Sequence, residues 1–345
     1  MRLAQLMAGA ANGGAELFFE RMTLALHQAG DEVLPLIRPE PARMARLRDA
    51  GLHPQGLRYG GPLDPFTRRR AAAALRRFRP SVAMAWMSRA AFHAPVGDWT
   101  LVGRLGGYYP LKYFRRCDHL VGNTQDIVRW VKAQGWPQER VTWLPNFVDD
   151  FATTPQLDRA ELGVPAEARL ILALGRLHKV KGFDTLITAM QAVPEAHLVI
   201  AGEGPERAAL TELIASHHLE DRVHLPGWRR DVGALLKTAD LFVSSSRHEP
   251  LGNMVLEAFS AQKPVVAAAA EGPRETIRAG QDGVLVPIDD APALADAIKT
   301  VLQDERLRLA LGAAARARYE ASFAPPVVLA IWRDYLARVG GGLAE

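Results

Sequence analysis

The feature that most constrains this chain is a rhythm. Short apolar runs rich in β-branched residues recur between longer stretches with helical spacing, and they do so along the whole sequence. Strands covered on both faces read as near-continuous apolar runs, and parallel pairing needs a crossover long enough to hold a helix. The alternation therefore predicts the α/β class with parallel sheets. In the first half the runs at residues 2–8, 32–37, 81–86, 100–105, 119–123 and 141–144 are the expected strands, and in the second half those at 170–174, 197–201, 223–225, 241–244, 264–268 and 284–286. Two such series predict two Rossmann-like, doubly wound domains with a cleft between them. The pattern breaks at Pro145-Asn146-Phe147-Val148-Asp149-Asp150, which sets the expected domains at 1–150 and 151–324. Residues 325–345, after Pro325-Pro326, read as a final helix with Trp332 and Tyr335 on one side. It either completes the second domain or returns to brace the first.

The length of 345 residues suits two domains of roughly 150 residues each. With 48% hydrophobic and 23% charged residues the chain has the balance of a folded soluble protein and not of a disordered one. No apolar run approaches the roughly 20 residues that span a bilayer; the run 264–270 stops at Glu271. Met1-Arg2-Leu3-Ala4-Gln5-Leu6-Met7-Ala8 is too short for a secretion signal and reads as a buried strand. A lone cysteine, Cys117, can neither close an intramolecular disulfide nor join a second cysteine in a metal cluster, so a cytoplasmic location is expected.

The net charge of +4 is unevenly spread. Residues 1–150 carry 21 Lys and Arg against 13 Asp and Glu, a net +8, and residues 151–345 carry 21 against 25, a net −4. Arg68, Arg69, Arg70, Arg76, Arg77 and Arg79 supply much of the excess on or near one helix. They form either a solvated face or a docking face for an anionic lipid or glycan, with peripheral contact at the inner membrane face as the expectation. The basic half holds no recognisable nucleic-acid reading motif, so no nucleic-acid partner is expected. Oligomeric state leaves no mark in the sequence.

Three segments have the makings of a site. Gly13-Gly14-Ala15-Glu16 lies between the first strand and the first helix, either as an anion or sugar contact at a helix start or as a tight turn without a ligand. Gly175-Arg176-Leu177-His178-Lys179-Val180-Lys181-Gly182 follows a strand, so Arg176 and Lys181 stand at the carboxyl end of a sheet, where open α/β sheets bind ligands. Two cations there suit a diphosphate, or they solvate the sheet edge. Arg247-His248-Glu249-Pro250-Leu251-Gly252-Asn253-Met254-Val255-Leu256-Glu257 places Glu249 on a loop and Glu257 on the helix that follows. The amides of Gly252, Asn253, Met254 and Val255 make a seat for phosphate at that helix start.

Taken in order, Gly13-Gly14-Ala15-Glu16, Gly175-Arg176-Leu177 with Lys181-Gly182, Ala201-Gly202-Glu203-Gly204-Pro205, Leu225-Pro226-Gly227 and the glutamates 249 and 257 resemble the group-1, or family-4, retaining glycosyltransferases of GT-B fold. The resemblance spans nearly the whole chain and is most specific over residues 172–270. It implies a second domain that holds a nucleoside diphosphate sugar, uridine diphosphate most often, and a first domain that holds the acceptor; the basic charge of that first half then suits a lipid-linked or anionic glycan, with lipopolysaccharide core assembly as one setting. It further implies that Arg176 and Lys181 neutralise the diphosphate, that Glu249 holds hydroxyls of the transferred sugar, and that Glu257 receives the ribose hydroxyls. Leu225, Pro226 and Gly227 would border the nucleobase, and Gly13, Gly14 and Gly202 would join in donor binding.

The chain departs from the pattern where many members carry a histidine at the end of a first-domain strand; Arg104 or Leu105 stands there instead. Arg104 and Arg89 either grip a carboxylate or phosphate of donor or acceptor or make structural salt bridges. His93 and His119 are either acid–base groups or structural. No Asp-x-Asp triplet is present, so neither a metal nor another cofactor is expected. A nucleotide-sugar epimerase, a phosphorylase, or a non-catalytic nucleotide-sugar-binding module are the competing functions.

Overall fold

The computed structural model describes residues 1–10, 13–61 and 64–341. Strands β1 (Arg2–Met7), β2 (Glu32–Ile37), β3 (Gln55–Gly56), β4 (Val82–Trp86), β5 (Thr100–Leu105), β6 (His119–Gly122) and β7 (Val141–Trp143) form one parallel sheet in the order β3-β2-β1-β4-β5-β6-β7. Strands β8 (Arg169–Leu174), β9 (Ala196–Ala201), β10 (Val223–Gly227), β11 (Leu241–Ser244), β12 (Val265–Ala268) and β13 (Val284–Val286) form a second, in the order β10-β9-β8-β11-β12-β13. Each expected strand is present to within about two residues. The added one, β3, is two residues long, too short to show any alternation.

Both sheets are doubly wound, two Rossmann-like units in one chain. In each, the strand order reverses once, between β1 and β4 and between β8 and β11. Loops leaving those neighbours diverge to opposite faces, which opens a crevice at the carboxyl ends of the strands.

The chain divides between Phe147 and Val148 and again between Ala324 and Pro325, so the helix Pro325–Gly340 is counted with the first unit and not with the second. The reason is local. Val328, Trp332, Tyr335 and Leu336 recur on one helical face and are buried with Phe18, Trp86 and Phe147. The Trp332 ring stacks on Trp86 at a 9° interplanar angle, and its Nε1–H donates to the Pro145 carbonyl at 2.9 Å. Truncating an aromatic this deeply packed costs about 3–5 kcal/mol, so the helix is a firm part of that unit.

Candidate active site

In the second unit the crevice is set by the loops that leave β8 and β11. The first runs through Gly175 to Lys181 and Gly182, the second through Ser245 to Glu249. They are tied at the backbone: Ser245 Oγ donates to the Lys181 carbonyl at 2.9 Å and Arg247 N–H to the Val180 carbonyl at 2.8 Å. The outcome is an ion pair between Lys181 Nζ and the Glu249 carboxylate, whose side chains keep only 15% and 14% of their exposure. The sequence placed these two residues 68 positions apart on different segments; the fold brings them into contact. The Lys181 methylenes lie over Gly175 at the end of β8.

Arg176 sits on the same loop, exposed, with no ion pair among the described residues. Its loop is held by the next one along. Gly202, after β9, lies so close to the Gly175 carbonyl that a Cβ would overlap it, and Leu177 N–H donates to the Glu203 carbonyl at 2.9 Å. Close backbone approach is thus reason enough for glycine at 202, whatever it does for a ligand.

The helix Asn253–Ser260 begins beside Glu249. Gly252, in the left-handed region at φ 81°, precedes it, and no side chain caps its N-terminus. That leaves the positive end of the helix facing the crevice loop. One expected donor is taken: Val255 N–H is bonded to the Gly252 carbonyl at 2.9 Å. Glu257 is buried on the same helix, 7% exposed. Leu225, Pro226 and Gly227 end strand β10, and Trp228 just after them is 55% exposed with Arg230 stacked over its ring.

Sequence reasoning missed Glu271, at the start of the short helix Glu271–Thr276 after β12. Its carboxylate accepts from Glu249 N–H at 3.2 Å and lies 2.8 Å from His248 Nδ1, while Gly272 N–H donates to the Glu249 carbonyl at 2.8 Å. Glu271 and Gly272 therefore hold Glu249 by its backbone N–H and its carbonyl. Burial raises the pKa of this carboxyl, yet the hydrogen bonds outweigh it and hold Glu271 below the usual carboxylate range. Arg247 anchors the same loop through a bidentate pair with Asp184 at 2.8 Å and a contact with Asp289 at 2.6 Å. The signal available was Glu271-Gly272-Pro273 directly after a strand of the same sheet.

The first unit corrects two expectations. At the end of β1 the Glu16 carboxylate folds back into the glycine turn and accepts from Ala10 N–H at 2.8 Å; a Cβ at Gly9 or Gly13 would overlap it. The start of the helix Gly14–Gln28, with Gly13 as its N-cap, already carries a negative charge, which disfavours an anion there. Arg104 is 1% exposed, sandwiched against Phe18 and Trp86 and bonded to Asn146 Oδ1 at 2.7 Å. It forms no salt bridge among the described residues and its side chain is closed off from solvent, and burial pushes its guanidinium down to about 10. Arg89, by contrast, is exposed on the helix Met87–His93 and lines a cavity. His93 is 2% exposed, its Nε2 on the Gly60 carbonyl at 3.1 Å, and His119 opens β6 at the opposite edge of the sheet. His93 is thus taken up in holding the loop after β3, and His119 stands away from the carboxyl-end loops.

Family comparisons match this layout. Residues 12–150 match the family described as Glycosyltransferase Family 4, and residues 156–318 match that described as Glycosyl transferases group 1. The lipopolysaccharide core biosynthesis glycosyltransferase LpsE of Rhizobium meliloti (strain 1021) is 36% identical over 308 residues, 87% of this chain and 88% of that protein. LpsD of the same organism is 34% identical over 329 residues, 94% of this chain and 95% of that protein. The crystal structure of HepE from Anabaena in complex with UDP-glucose superposes with a TM-score of 0.83 at 21% identity, over 98% of this chain and 100% of that one, a likeness of fold. The chain belongs to the group-1, family-4 glycosyltransferases of GT-B fold, enzymes that move a sugar from a nucleotide sugar to an acceptor.

Proposed function

We propose that this chain takes a uridine diphosphate sugar as donor and transfers its glycosyl unit, with retained configuration and without a metal, to a hydroxyl of a glycan or lipid-linked acceptor during lipopolysaccharide assembly. The observation that carries the reading is the Lys181 and Glu249 pair at the β8/β11 switch, beside an uncapped helix start. The names of LpsE and LpsD support the setting, and the UDP-glucose held by HepE supports the donor class.

The chemistry follows from charge. The bond from the anomeric carbon to the β-phosphate oxygen breaks, and negative charge grows on the departing diphosphate. Lys181 and Arg176 together with the positive end of the helix Asn253–Ser260 are fixed positive ends for that charge, and they fill the place a metal takes in other sugar transferases. Glu249, released from Lys181 as the diphosphate arrives, accepts hydrogen bonds from sugar hydroxyls. Glu257 takes the ribose hydroxyls, and Trp228 with Leu225, Pro226 and Gly227 borders the base. The acceptor oxygen attacks the face the diphosphate leaves, and its proton passes to a phosphate oxygen, so no protein nucleophile is needed. A panel of UDP, ADP and GDP sugars tests this: slow hydrolysis of one donor without acceptor, and a product with the donor's anomeric coupling by proton NMR. Epimerised donor or free sugar 1-phosphate overturns it, and thermal protection by a donor with no product across truncated core oligosaccharides turns it into a binding module.

For localisation we propose a peripheral position at the cytoplasmic face of an anionic membrane. Among the described residues no helix is long and apolar enough to cross a membrane. What supports surface contact is the helix Pro65–Phe78, where Phe66 is 60% exposed beside exposed Arg69, Arg70, Arg76 and Arg77, and Val96, 65% exposed, shares a surface depression with Arg68, Arg69 and Arg116. Sedimentation with phosphatidylglycerol vesicles that weakens with salt is the expected result; equal binding to neutral vesicles overturns it.

A further inference from the structure

We propose that a cavity at the carboxyl edge of the first sheet is a subsite for a phosphorylated sugar, with Arg38, Arg58 and Arg89 as its anion grip. The inference rests on the reading of the first unit as the acceptor side and gives that side a chemistry. The cavity holds about 660 Å³, within the range of about 300–1,000 Å³ typical of small-molecule sites. Arg38 follows β2, Arg58 follows β3, and Arg89 lies on the helix that follows β4. Three connections consecutive in sequence thus deliver one arginine each to the same hollow.

All three side chains are exposed, and among the described residues none has a carboxylate partner. Some arginines of the same unit are matched, Arg43 and Arg46 with Glu20, Arg129 with Asp126 and Arg333 with Asp31, and others, such as Arg69 and Arg70, face solvent; what distinguishes Arg38, Arg58 and Arg89 is that they share one hollow. Three like charges around one hollow repel one another until an anion sits between them, and guanidinium forks suit phosphate oxygens. Phe92 and Tyr113 form an apolar wall beside them, a surface for the carbon face of a pyranose ring. A simple ion site has no use for that wall.

The hollow is also held in shape. Tyr59, next to Arg58, is buried with φ 46°, a conformation rare for a bulky residue. It is fixed there by its hydroxyl donating to the Leu36 carbonyl at 2.7 Å and its N–H donating to Thr67 Oγ1 at 3.0 Å. His93 clasps the Gly60 carbonyl from the other wall, and Met87, two residues before Arg89, has φ 62°. Backbone held in such conformations by surrounding contacts gathers at ligand sites.

The test titrates inorganic phosphate, followed by phosphorus NMR line width, into a Lys181→Ala protein, which weakens the diphosphate seat of the second unit. Adding Arg58→Ala and Arg89→Ala is expected to weaken phosphate binding at least tenfold, and Arg58→Lys with Arg89→Lys to recover part of it. Affinity within twofold of the parent overturns the proposal. Glucose 6-phosphate is expected to displace phosphate; displacement by phosphatidylglycerol vesicles alone overturns the sugar assignment in favour of a lipid headgroup. The thermal shift given by UDP to the Arg58→Ala/Arg89→Ala protein with Lys181 intact is expected to match that of the parent, which confirms its fold. If UDP shifts neither protein, the donor reading fails while the phosphate titration still decides the cavity.

Discussion

Lys181 Nζ and the Glu249 carboxylate hold each other at the carboxyl ends of β8 and β11, so in the ligand-free chain the cation and the carboxylate assigned to opposite ends of a donor neutralise one another. In the proposed donor complex the pair parts, with the lysine turning to phosphate and the glutamate accepting from sugar hydroxyls, so the ion pair is exchanged for contacts to the donor. Lys181→Ala is expected to lower kcat by about 100-fold or more, the loss seen when one electrostatic donor to a leaving group is removed, with a smaller change in donor affinity. It also strands a half-buried carboxylate, so Lys181→Ala with Glu249→Gln should be more stable than Lys181→Ala alone by about 1 kcal/mol. Steady-state kinetics and urea unfolding of the four proteins decide this; near-normal kcat in Lys181→Ala removes the lysine from catalysis.

Glu271 tests whether the Glu249 loop needs its strap. Glu271→Gln keeps the shape but replaces a carboxylate that accepts from Glu249 N–H and faces His248. Because hydrogen bonding lowers the native pKa of Glu271 beneath its unfolded value of 4.5, its stabilising effect is complete above about pH 5 and fades as the solution is acidified through the native value. Donor KM is expected to rise about three- to tenfold in Glu271→Gln, an effect of about 1 kcal/mol. The substitution should leave the wild-type and variant unfolding curves closer at pH 4 than at pH 7. Equal gaps at both pH values would show that the carboxylate charge plays no part.

Most of the fold and part of the site were legible in the sequence, for reasons that particular residues make plain. Apolar runs such as Leu241 to Ser244 are buried at every position, and burial is what hydrophobic spacing reports. Lys181 and Glu249 were found as separate signals because each follows a strand end, but their contact depends on β8 and β11 being neighbours, which is a fact of strand order. Arg104 misled because a charged residue at a strand end reads as a ligand group; its guanidinium instead lies between Phe18 and Trp86, and the ring faces that hold it come from different segments. Glu271 and β3 stayed hidden because a single hydrogen-bonding carboxylate and a two-residue strand have no period to detect.

Gly202 carries a stability prediction that needs no ligand. A Cβ there would overlap the Gly175 carbonyl, and the neighbour is backbone at the end of β8, which cannot swing away as a side chain would. Gly202→Ala is expected to cost about 2–4 kcal/mol, in the upper range for single substitutions, and to displace the loop that carries Arg176 and Lys181. Thermal unfolding and UDP affinity should therefore fall together. A stable variant that loses only UDP affinity would assign Gly202 a direct role at the ligand.

Lys263 gives the pH dependence a second, separable origin. Its ammonium, just after the helix Asn253–Ser260 in sequence, donates to the Lys237 carbonyl at 2.8 Å, and burial chiefly, with the neighbouring Lys237 charge, pushes it down to about 8. In the unfolded chain the same lysine titrates near 10.5. Below pH 8 both states carry the proton and the folded state bears the full penalty. Between pH 8 and 10.5 the unfolded chain binds the proton more tightly, so this group's contribution to stability improves as pH rises. Lys263→Met keeps the stem and removes the charge, and after discounting for partial exposure it should stabilise the protein by about 1–2 kcal/mol at pH 7. That advantage should shrink toward zero by pH 10, read from urea unfolding at unit pH steps. A wild-type to variant difference that stays constant from pH 7 to 10 would mean that Lys263 is solvated well enough to keep its ordinary affinity for the proton.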